Sequence, residues 1–247
     1  MLGLPAKIDA CLFDLDGVLT QTSMVHAAAW RETFDTFLRS RAEATGEVHV
    51  PFDPIRDYGL YVDGKPRADG VRSFLGARGI SLPEGDEDDL AAAETVRGLG
   101  NRKNELLLSR IRQSGVPVYE GSVRYVHAVK GAGLPRAVVS SSTNTREVLA
   151  AAGLEGLFDV CIDGLVAADR GLRGKPAPDT FLAAASALGA GPARAAVFED
   201  ALAGVEAGRA GGFGFVVGVD RIGQADELRR RGADIVVRDL AELMESP

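Results

Sequence analysis

The chain has 247 residues, of which 46% are hydrophobic and 26% charged, and these proportions are typical of a folded globular protein. Its net charge of −7 argues against a nucleic acid as the main partner, and the sequence contains no run of about 18 apolar residues that could cross a membrane. The N-terminal stretch lacks the pattern of an export signal, so we expect a cytoplasmic protein, with a monomer as the expected state.

A set of short apolar runs, each followed by polar residues or glycine, predicts buried strands. The runs are residues 8–13, 136–139, 195–198, 213–219 and 235–237, with 158–162 as a candidate sixth. Alanine-rich segments closed by glycines predict helices at 145–153, 177–189 and 201–211. Because strands and helices alternate, we predict an α/β fold with a doubly wound, mostly parallel, Rossmann-like sheet.

Residues 21–114 break this alternation and predict a helical cap domain inserted after the first strand. The segments on either side, residues 1–20 and 115–247, would then form the catalytic core domain. In open parallel sheets, ligands bind outside the carboxyl ends of the strands. An insert at that edge would therefore form a lid.

Within the insert, helical periodicity at 24–44 and 87–113 predicts two helices. The stretch between them contains a segment at 50–70 that we predict to be rich in loops, and no part of the insert predicts a buried strand. The acidic run at 83–90 is typical of a solvated loop that leads into a helix N-terminus, where acidic side chains are favoured.

Acidic residues follow two of the predicted strands directly. Asp14 and Asp16 come after the first strand, and Gly17 would let the chain turn sharply there. Glu199 and Asp200 follow the strand at 195–198 in the same way. Taken singly, the acids after the first strand could equally belong to an ordinary turn, and those at 199–200 could equally be surface caps. Together, they would lie at one edge of a parallel sheet.

Two further segments favour phosphate binding at that edge. Residues 140–144, "SSSTN", form a row of hydroxyls and amides, Ser140 and Ser141 first, that leads into a predicted helix, which is the setting that holds a phosphate. Simple N-capping is the alternative. Lys175, in "GKPAPDTF", precedes a helix start fixed by proline, which would hold its ammonium near the strand ends, and a lone surface lysine is the alternative.

Several carboxylates at one edge would repel each other unless a divalent cation lay among them, and Mg²⁺ binds carboxylates together with phosphate oxygen and water. We therefore expect a Mg²⁺ site formed by Asp14, Asp16, Glu199 and Asp200. The cation and Lys175 would offset the charge between an aspartate and a phosphoryl group. A carboxylate could then attack phosphorus and form an aspartyl phosphate.

"FDLDGVLT", "SSSTN", "GKPAPDTF" and "FEDALAG", in this order and at these separations, resemble the four motifs of the haloacid dehalogenase superfamily of phosphotransferases. The resemblance implies that Asp14 is the nucleophile and Asp16 the general acid and base. It also implies that Ser140 binds the phosphate and that Lys175 balances its charge. The acids at 199–200 would lie on the metal side.

The insert narrows the resemblance to the β-phosphoglucomutases. "DLDGVLTQTSMVHAAAW" is similar to their first motif and following helix, with His26 and Trp30 at matching spacing. "DGKPRADGVRSFL" resembles a cap loop in which Arg67 would grip the phosphate that is not being transferred. "GNRKNELL" resembles a segment in which Lys103 would face the sugar, and Asn144 matches a residue beside the phosphate.

The resemblance implies interconversion of β-D-glucose 1-phosphate and glucose 6-phosphate, with a sugar phosphate as the small-molecule partner. A sugar-phosphate phosphatase is the alternative, because Gln21 stands where the family usually has an acid and the stretch from Trp30 to Arg67 is longer than usual. A non-catalytic binding protein is disfavoured, since every charged group that the chemistry needs is present. From the residues alone, His26 and Trp30 could be core residues, and Arg67 and Lys103 could be solvated charges.

Overall fold

The computed structural model describes residues 2–245, and the chain divides into two compact units. One unit, here the core unit, comprises Met1–Gln21 and Val116–Pro247, and the other, here the helical unit, comprises Thr22–Gly115. The predicted insert at 21–114 differs from the helical unit by one residue at each end. The assignment of these units as a catalytic core and a cap remains a prediction.

The core unit is built on a parallel sheet. Its strands within residues 2–245 are β1 (Ala10–Phe13), β2 (Arg136–Val139), β3 (Val160–Ile162), β4 (Ala195–Glu199), β5 (Phe215–Val219) and β6 (Ile235–Val237). The order across the sheet is β3-β2-β1-β4-β5-β6, and every neighbouring pair is parallel. The chain builds outward from β1 in one direction and then, from β4, in the other. The predicted doubly wound α/β fold is therefore confirmed.

The strands at 136–139 and 235–237 have the predicted bounds, whereas the strands predicted at 8–13, 158–162 and 213–219 each begin two residues later. In each of these runs, the first two residues are an apolar residue followed by aspartate or glycine, and they belong to the connection. At the start of β1, for example, the Asp9 amide donates to the carbonyl of Arg194 on the loop before β4.

Helices connect the strands. Over the described residues they are α1 (Ser23–Thr45), α2 (Arg67–Ala77), α3 (Val96–Ser114), α4 (Glu120–Gly131), α5 (Thr145–Ala151), α6 (Gly164–Asp169), α7 (Asp179–Ala187), α8 (Leu202–Ala210), α9 (Ala225–Arg231) and α10 (Glu242–Glu245), with a 3₁₀ turn at Pro192–Arg194. The helices predicted at 145–153, 177–189 and 201–211 are α5, α7 and α8, each slightly shorter than expected. Among residues 2–245, no helix combines the length and the apolar character needed to cross a bilayer.

The central strand β1 is buried along its whole length, because helices cover both faces of a doubly wound sheet. Phe13, its last residue, stacks on Phe198 of β4 with 4.4 Å between ring centroids. This packing fixes the end of β1 in the middle of the sheet. The residue that follows, Asp14, therefore emerges at the centre of the carboxyl edge.

The helical unit contains α1, α2 and α3, a π-helical turn at Tyr58–Val62, and, over the described residues, no strand. The helix predicted at 24–44 is confirmed as α1. The helix predicted at 87–113 is wrong in its first third, since α3 begins at Val96. Its start is set by Thr95, whose hydroxyl accepts a hydrogen bond from the Gly98 amide at 2.9 Å.

The acidic run at 83–90 forms a loop, as predicted, but it does not lead directly into a helix. Glu84 accepts a hydrogen bond from Arg72 of α2 at 3.0 Å and pairs with Arg97 of α3 at 3.3 Å. The run therefore links two helices of the unit instead of starting one of them.

The prediction that residues 50–70 lie mainly in loops is wrong in part. The segment contains the π-helical turn, and α2 begins at Arg67 directly after Pro66. Proline is compatible with a helix start, and the apolar residues Val71, Phe74 and Leu75 recur at helical spacing. Arg67 thus lies in the first turn of a helix and not in a loop.

The core of the helical unit yields a test of its packing. Phe34 of α1 is fully buried, with ring centroids 5.0 Å from Trp30 and 4.2 Å from Phe74. We expect Phe34→Ala to lower the free energy of unfolding by about 3–5 kcal/mol, because it leaves a cavity. Trp30 is the single tryptophan, so urea denaturation followed by its fluorescence reports on this unit.

The matched control is Met24→Ala on the same helix, where the side chain is 81% exposed. That change should shift the unfolding free energy by no more than about 0.5 kcal/mol. Equal losses in the two variants would contradict the packing described here.

Candidate active site

Lys175 joins the ends of three strands through its ammonium group. Its Nζ lies 2.5 Å from Oδ1 of Asp14 after β1, 2.6 Å from Oε1 of Glu199 in β4, and 3.2 Å from the carbonyl oxygen of Val139 in β2. The residue is 2% exposed, which excludes the alternative of a lone surface lysine. Its ammonium also lies 4.9 Å from the ring centroid of Phe181 in α7.

The sheet register brings these groups together. Phe13 pairs with Phe198 of β4 and with Val138 of β2, so the three strands end at one level. The Asp14 amide then donates to the carbonyl of Phe198 at 3.0 Å, and Glu199 is the last residue of β4. Parallel pairing therefore places both carboxylates side by side.

Three carboxylates form a buried cluster at this edge. The candidate ligand oxygens of Asp14, Glu199 and Asp200 all lie within 4.8 Å of one another, and the three residues are at most 6% exposed. Asp16, the fourth acid expected to hold a metal ion, lies outside this group. It belongs to the turn after β1 and is half-buried.

Burial raises the pKa of the Asp14 carboxyl well above its usual value, the Lys175 ammonium opposes this, and the charges of Glu199 and Asp16 add to it. Burial alone would lower the pKa of Lys175, but the carboxylates of Asp14 and Glu199 raise it by more, so the ammonium form is favoured. Three buried acids against one ammonium leave an excess of negative charge, which a divalent cation would offset.

The donor set of this cluster fits Mg²⁺, since carboxylate oxygens are hard ligands and this ion is commonly bound by one or two of them. Both oxygens of Glu199 already accept hydrogen bonds, one from Lys175 at 2.6 Å and one from the Ala201 amide at 2.9 Å. Asp14 and Asp200 are therefore the acids best placed to hold the ion, with Glu199 orienting Lys175.

The predicted phosphate-binding row lies in a turn at the end of β2. Ser140 is 3% exposed, and its amide donates to the carbonyl of Ile162 in β3. Its hydroxyl accepts from the Ser142 amide at 3.1 Å, and the Ser142 hydroxyl accepts from the Asn144 amide at 3.1 Å. Ser141 is half-buried in the same turn, and Asn144 precedes α5. The turn is thus held in shape by its own hydroxyls.

The helical unit brings three of its four predicted site residues together. Lys103 of α3 is 5% exposed, and its Nζ lies 3.1 Å from Nδ1 of His26 and 5.3 Å from the ring centroid of Trp30. A solvated surface charge is therefore excluded for Lys103. Trp30, at 3% exposure, also belongs to the apolar core of the unit.

Arg67 is held separately, within α2. One guanidinium nitrogen donates to the side-chain oxygen of Asn101 at 3.3 Å. The Asn101 amide nitrogen donates in turn to the carbonyls of Glu87 and Asp89. Arg67 is half-buried and is therefore not a fully solvated charge, and this burial lowers the pKa of its guanidinium.

A profile of the haloacid dehalogenase-like hydrolases matches residues 8–212. A β-phosphoglucomutase of Mycobacterium tuberculosis is 59% identical over 247 residues, covering 99% of this chain and 94% of that protein. A β-phosphoglucomutase of Bacillus subtilis is 30% identical, covering 95% and 91%. The chain belongs to the haloacid dehalogenase superfamily, within its β-phosphoglucomutase-like family. It is a phosphotransferase enzyme.

The fold agrees with this membership. The crystal structure of a β-phosphoglucomutase from Clostridium difficile superposes with a TM-score of 0.72 at 26% identity, covering 96% of this chain and 93% of that one. The resemblance on which the sequence was placed in this superfamily is thereby confirmed.

Sequence reasoning missed two residues that contact this candidate site. Arg221 and Gln224, in the loop after β5, donate to backbone carbonyls of the two segments that carry the acids. The available signal was their position, since β5 is parallel to β1 and ends at the same edge of the sheet. Neither residue lies in a segment that resembles a family motif.

Gly204 of α8 gives a test of the cluster that leaves every charged residue in place. A Cβ at this position would lie 1.7 Å from Oε1 of Glu199, the oxygen that binds Lys175. We expect Gly204→Ala to displace that carboxylate and to lower the phosphoryl transfer rate about 100-fold, as a shift of roughly 1 Å can do.

The control is Gly131→Ala in α4, where a Cβ would meet no atom within 4 Å. It should keep the rate and change the free energy of unfolding by no more than about 1 kcal/mol. Turnover and the melting temperature of both variants are measured together. If Gly204→Ala were as active as the control, the role of the Glu199 contact would be refuted.

Proposed function

We propose that this enzyme is a Mg²⁺-dependent β-phosphoglucomutase that interconverts β-D-glucose 1-phosphate and glucose 6-phosphate through a phosphoryl group on Asp14. The main support is the contact of Lys175 with Asp14 and Glu199 at the edge where the acid cluster lies. The 59% identity to the mycobacterial β-phosphoglucomutase supports the choice of substrate.

In the first step, an oxygen of the Asp14 carboxylate attacks the phosphorus at C1 of β-D-glucose 1,6-bisphosphate, and glucose 6-phosphate leaves. The bond from phosphorus to the aspartate oxygen forms as the bond to the sugar oxygen breaks. Lys175 keeps its charge beside Asp14 and so reduces the repulsion between the carboxylate and the phosphoryl oxygens. Mg²⁺, held by Asp14 and Asp200, would supply further positive charge against those oxygens.

Asp16 is the proposed proton partner. It lies two residues beyond the nucleophile in the turn after β1, and it is half-buried. Asp16 would protonate the departing sugar oxygen in the first step. In the second step, it would take the proton from the 6-hydroxyl of β-D-glucose 1-phosphate as that oxygen attacks the phosphoryl group on Asp14, which forms the 1,6-bisphosphate again.

The helical unit supplies the residues that we propose for the sugar and for its second phosphate. Lys103 is held by His26 and Trp30, which pre-organises its ammonium for hydrogen bonds to sugar oxygens. Arg67 would bind the phosphate that is not being transferred, since a guanidinium can hold a phosphate with two hydrogen bonds.

In the core unit, we propose that Ser140, Ser141 and Asn144 contact phosphate oxygens. The cytoplasmic location and the monomeric state of the enzyme remain predictions.

A sugar-phosphate phosphatase is the second candidate, because the matching profile describes hydrolases. In that case, water instead of a sugar hydroxyl would attack the phosphoryl group on Asp14. Gln21 also bears on this choice, because it carries no charge at a position where the family usually has an acid. Its side-chain amide nitrogen donates to the carbonyl of Val118 at 3.0 Å.

An assay with β-D-glucose 1-phosphate, Mg²⁺ and a trace of the 1,6-bisphosphate separates the two candidates. Glucose 6-phosphate is measured by a coupled dehydrogenase, and inorganic phosphate in parallel. We expect glucose 6-phosphate to exceed inorganic phosphate by at least about 100-fold if the phosphoenzyme is shielded from water. The α anomer serves as the control substrate, and release of inorganic phosphate without glucose 6-phosphate would favour the phosphatase.

The nucleophile has its own test in Asp14→Asn, which keeps the shape of the side chain and removes its charge. We expect turnover to fall by about 10⁴-fold or more, as when the nucleophile of another enzyme is removed. Asp226→Asn in α9, where the side chain is 91% exposed, is the control and should leave turnover unchanged. An active Asp14→Asn variant would rule out the proposed mechanism.

A further inference from the structure

The loop at 220–224, which follows β5, reaches both acid-bearing segments of the core unit. Arg221 donates from Nε to the carbonyl of Gly17 at 2.8 Å and from Nη2 to the carbonyl of Val18 at 3.1 Å. Gln224 donates from its side-chain nitrogen to the carbonyl of Asp200 at 3.0 Å. One loop thus links the turn after Asp16 to a residue of the acid cluster.

The guanidinium of Arg221 is fixed by other parts of the core unit as well. Nη1 donates to the carbonyl of Arg238 at 2.5 Å, and Nη2 donates to the hydroxyl of Ser122 at 3.1 Å. The group also lies 3.4 Å from the ring centroid of Tyr119, and the side chain is only 13% exposed. Because these contacts fix the guanidinium independently of the turn, its hydrogen bonds restrict the movement of the turn.

The turn after β1 also has hydrogen bonds among its own backbone groups, and its Leu19 carbonyl accepts from the Tyr119 amide at 2.9 Å. The Leu15 carbonyl accepts from the amides of Leu19 and Thr20, and the Thr20 carbonyl accepts from the amide of Gly17. Gly17 has a φ of 93°, a conformation that other residues adopt only with strain. The two carbonyls that follow Asp16 in sequence are those held by Arg221, so the guanidinium fixes the backbone next to Asp16.

The loop itself has little freedom. The Oδ1 atom of Asp220 accepts hydrogen bonds from three successive backbone amides, at 3.2, 2.7 and 2.8 Å, those of Ile222, Gly223 and Gln224. A loop closed in this way can act as a rigid support.

We propose that Arg221 is a positioning residue for Asp16: its fork, bound to the carbonyls of Gly17 and Val18, holds the turn so that the Asp16 carboxyl meets the sugar oxygen. The inference rests on the proposed role of Asp16 as the general acid and base. Proton transfer needs the two groups within hydrogen-bond reach, so a looser turn slows the steps that need a proton. Attack by Asp14 on an ester with a good leaving group needs no such proton.

Arg221→Lys tests this, because lysine keeps the charge but cannot bind two carbonyls as a planar fork. Two rates are measured at saturating substrate: turnover of β-D-glucose 1-phosphate, and the burst of p-nitrophenolate release from p-nitrophenyl phosphate, whose leaving group departs without a proton. We expect the first rate to fall about 10- to 100-fold, with KM nearly unchanged, and the second to fall less than about 3-fold.

Arg136→Lys is the matched control. Arg136 is 7% exposed and donates to the carbonyls of Leu157 at 2.5 Å and Leu134 at 2.9 Å, but it lies at the start of β2, away from the carboxyl edge. It should lower the melting temperature and change neither rate by more than about 2-fold.

Ser122→Ala removes one acceptor of the guanidinium and leaves the turn untouched, so it keeps the test usable if Arg221→Lys folds poorly. It should lower the turnover of β-D-glucose 1-phosphate about 2- to 5-fold more than it lowers the burst of p-nitrophenolate. Asp16→Asn is the reference variant: it should greatly lower the turnover rate of the sugar phosphate and only slightly lower the burst rate of p-nitrophenolate release.

If Asp16→Asn slowed sugar-phosphate turnover much more than the p-nitrophenolate burst, but the Arg221 and Ser122 variants did not, this inference would be overturned and the proposed role of Asp16 would stand. Equal losses for both substrates in Arg221→Lys, or losses no larger than in Arg136→Lys, would do the same. If Asp16→Asn lowered both rates equally, the proposed role of Asp16 would be overturned and, with it, this inference.

Discussion

The site depends on one ammonium group placed among buried carboxylates. Carboxylates removed from water repel each other and are poorly solvated, so the cluster at the edge of this sheet needs positive charge to remain ionised. Lys175 provides part of that charge with contacts of 2.5 and 2.6 Å to two acids. The all-parallel sheet makes this contact available, because parallel strands all end at one edge. A divalent cation would complete the balance and create a site where a phosphoryl group is also stabilised.

A second set of contacts gives the charges a fixed geometry. The turn after β1, the hydroxyl row after β2 and the loop after β5 each contain hydrogen bonds between a side chain and the backbone of the same segment, and Arg221 links the first of these segments to the last. Polar groups held in advance need little reorganisation during a reaction. In this fold, the strands place the polar residues at one edge of the sheet, and the hydrogen bonds of the loops hold these residues rigidly.

Much of this could be predicted from the sequence, because the decisive signals are local. Apolar runs that end in acids, hydroxyls or glycine gave the strands and the edge at which Asp14, Ser140 and Glu199 meet. The features that sequence reasoning missed depend on partners far along the chain. Arg221 binds a carbonyl 204 positions away, and the acidic loop is held by arginines of two helices. The burial of Lys103 likewise follows from packing on α1, which no periodicity in its own helix reveals.

The central claim, that the charge-balanced cluster makes Asp14 a phosphoryl acceptor, can be tested by trapping the intermediate. The enzyme is mixed with β-D-glucose 1,6-bisphosphate in the presence of Mg²⁺, quenched in acid within milliseconds, digested with pepsin and analysed by mass spectrometry. The account predicts one added phosphoryl group on the peptide that contains Asp14, and its loss when the metal is removed with a chelator. A phosphoryl group on another residue, or turnover with no phosphorylated Asp14 at any quench time, would contradict it.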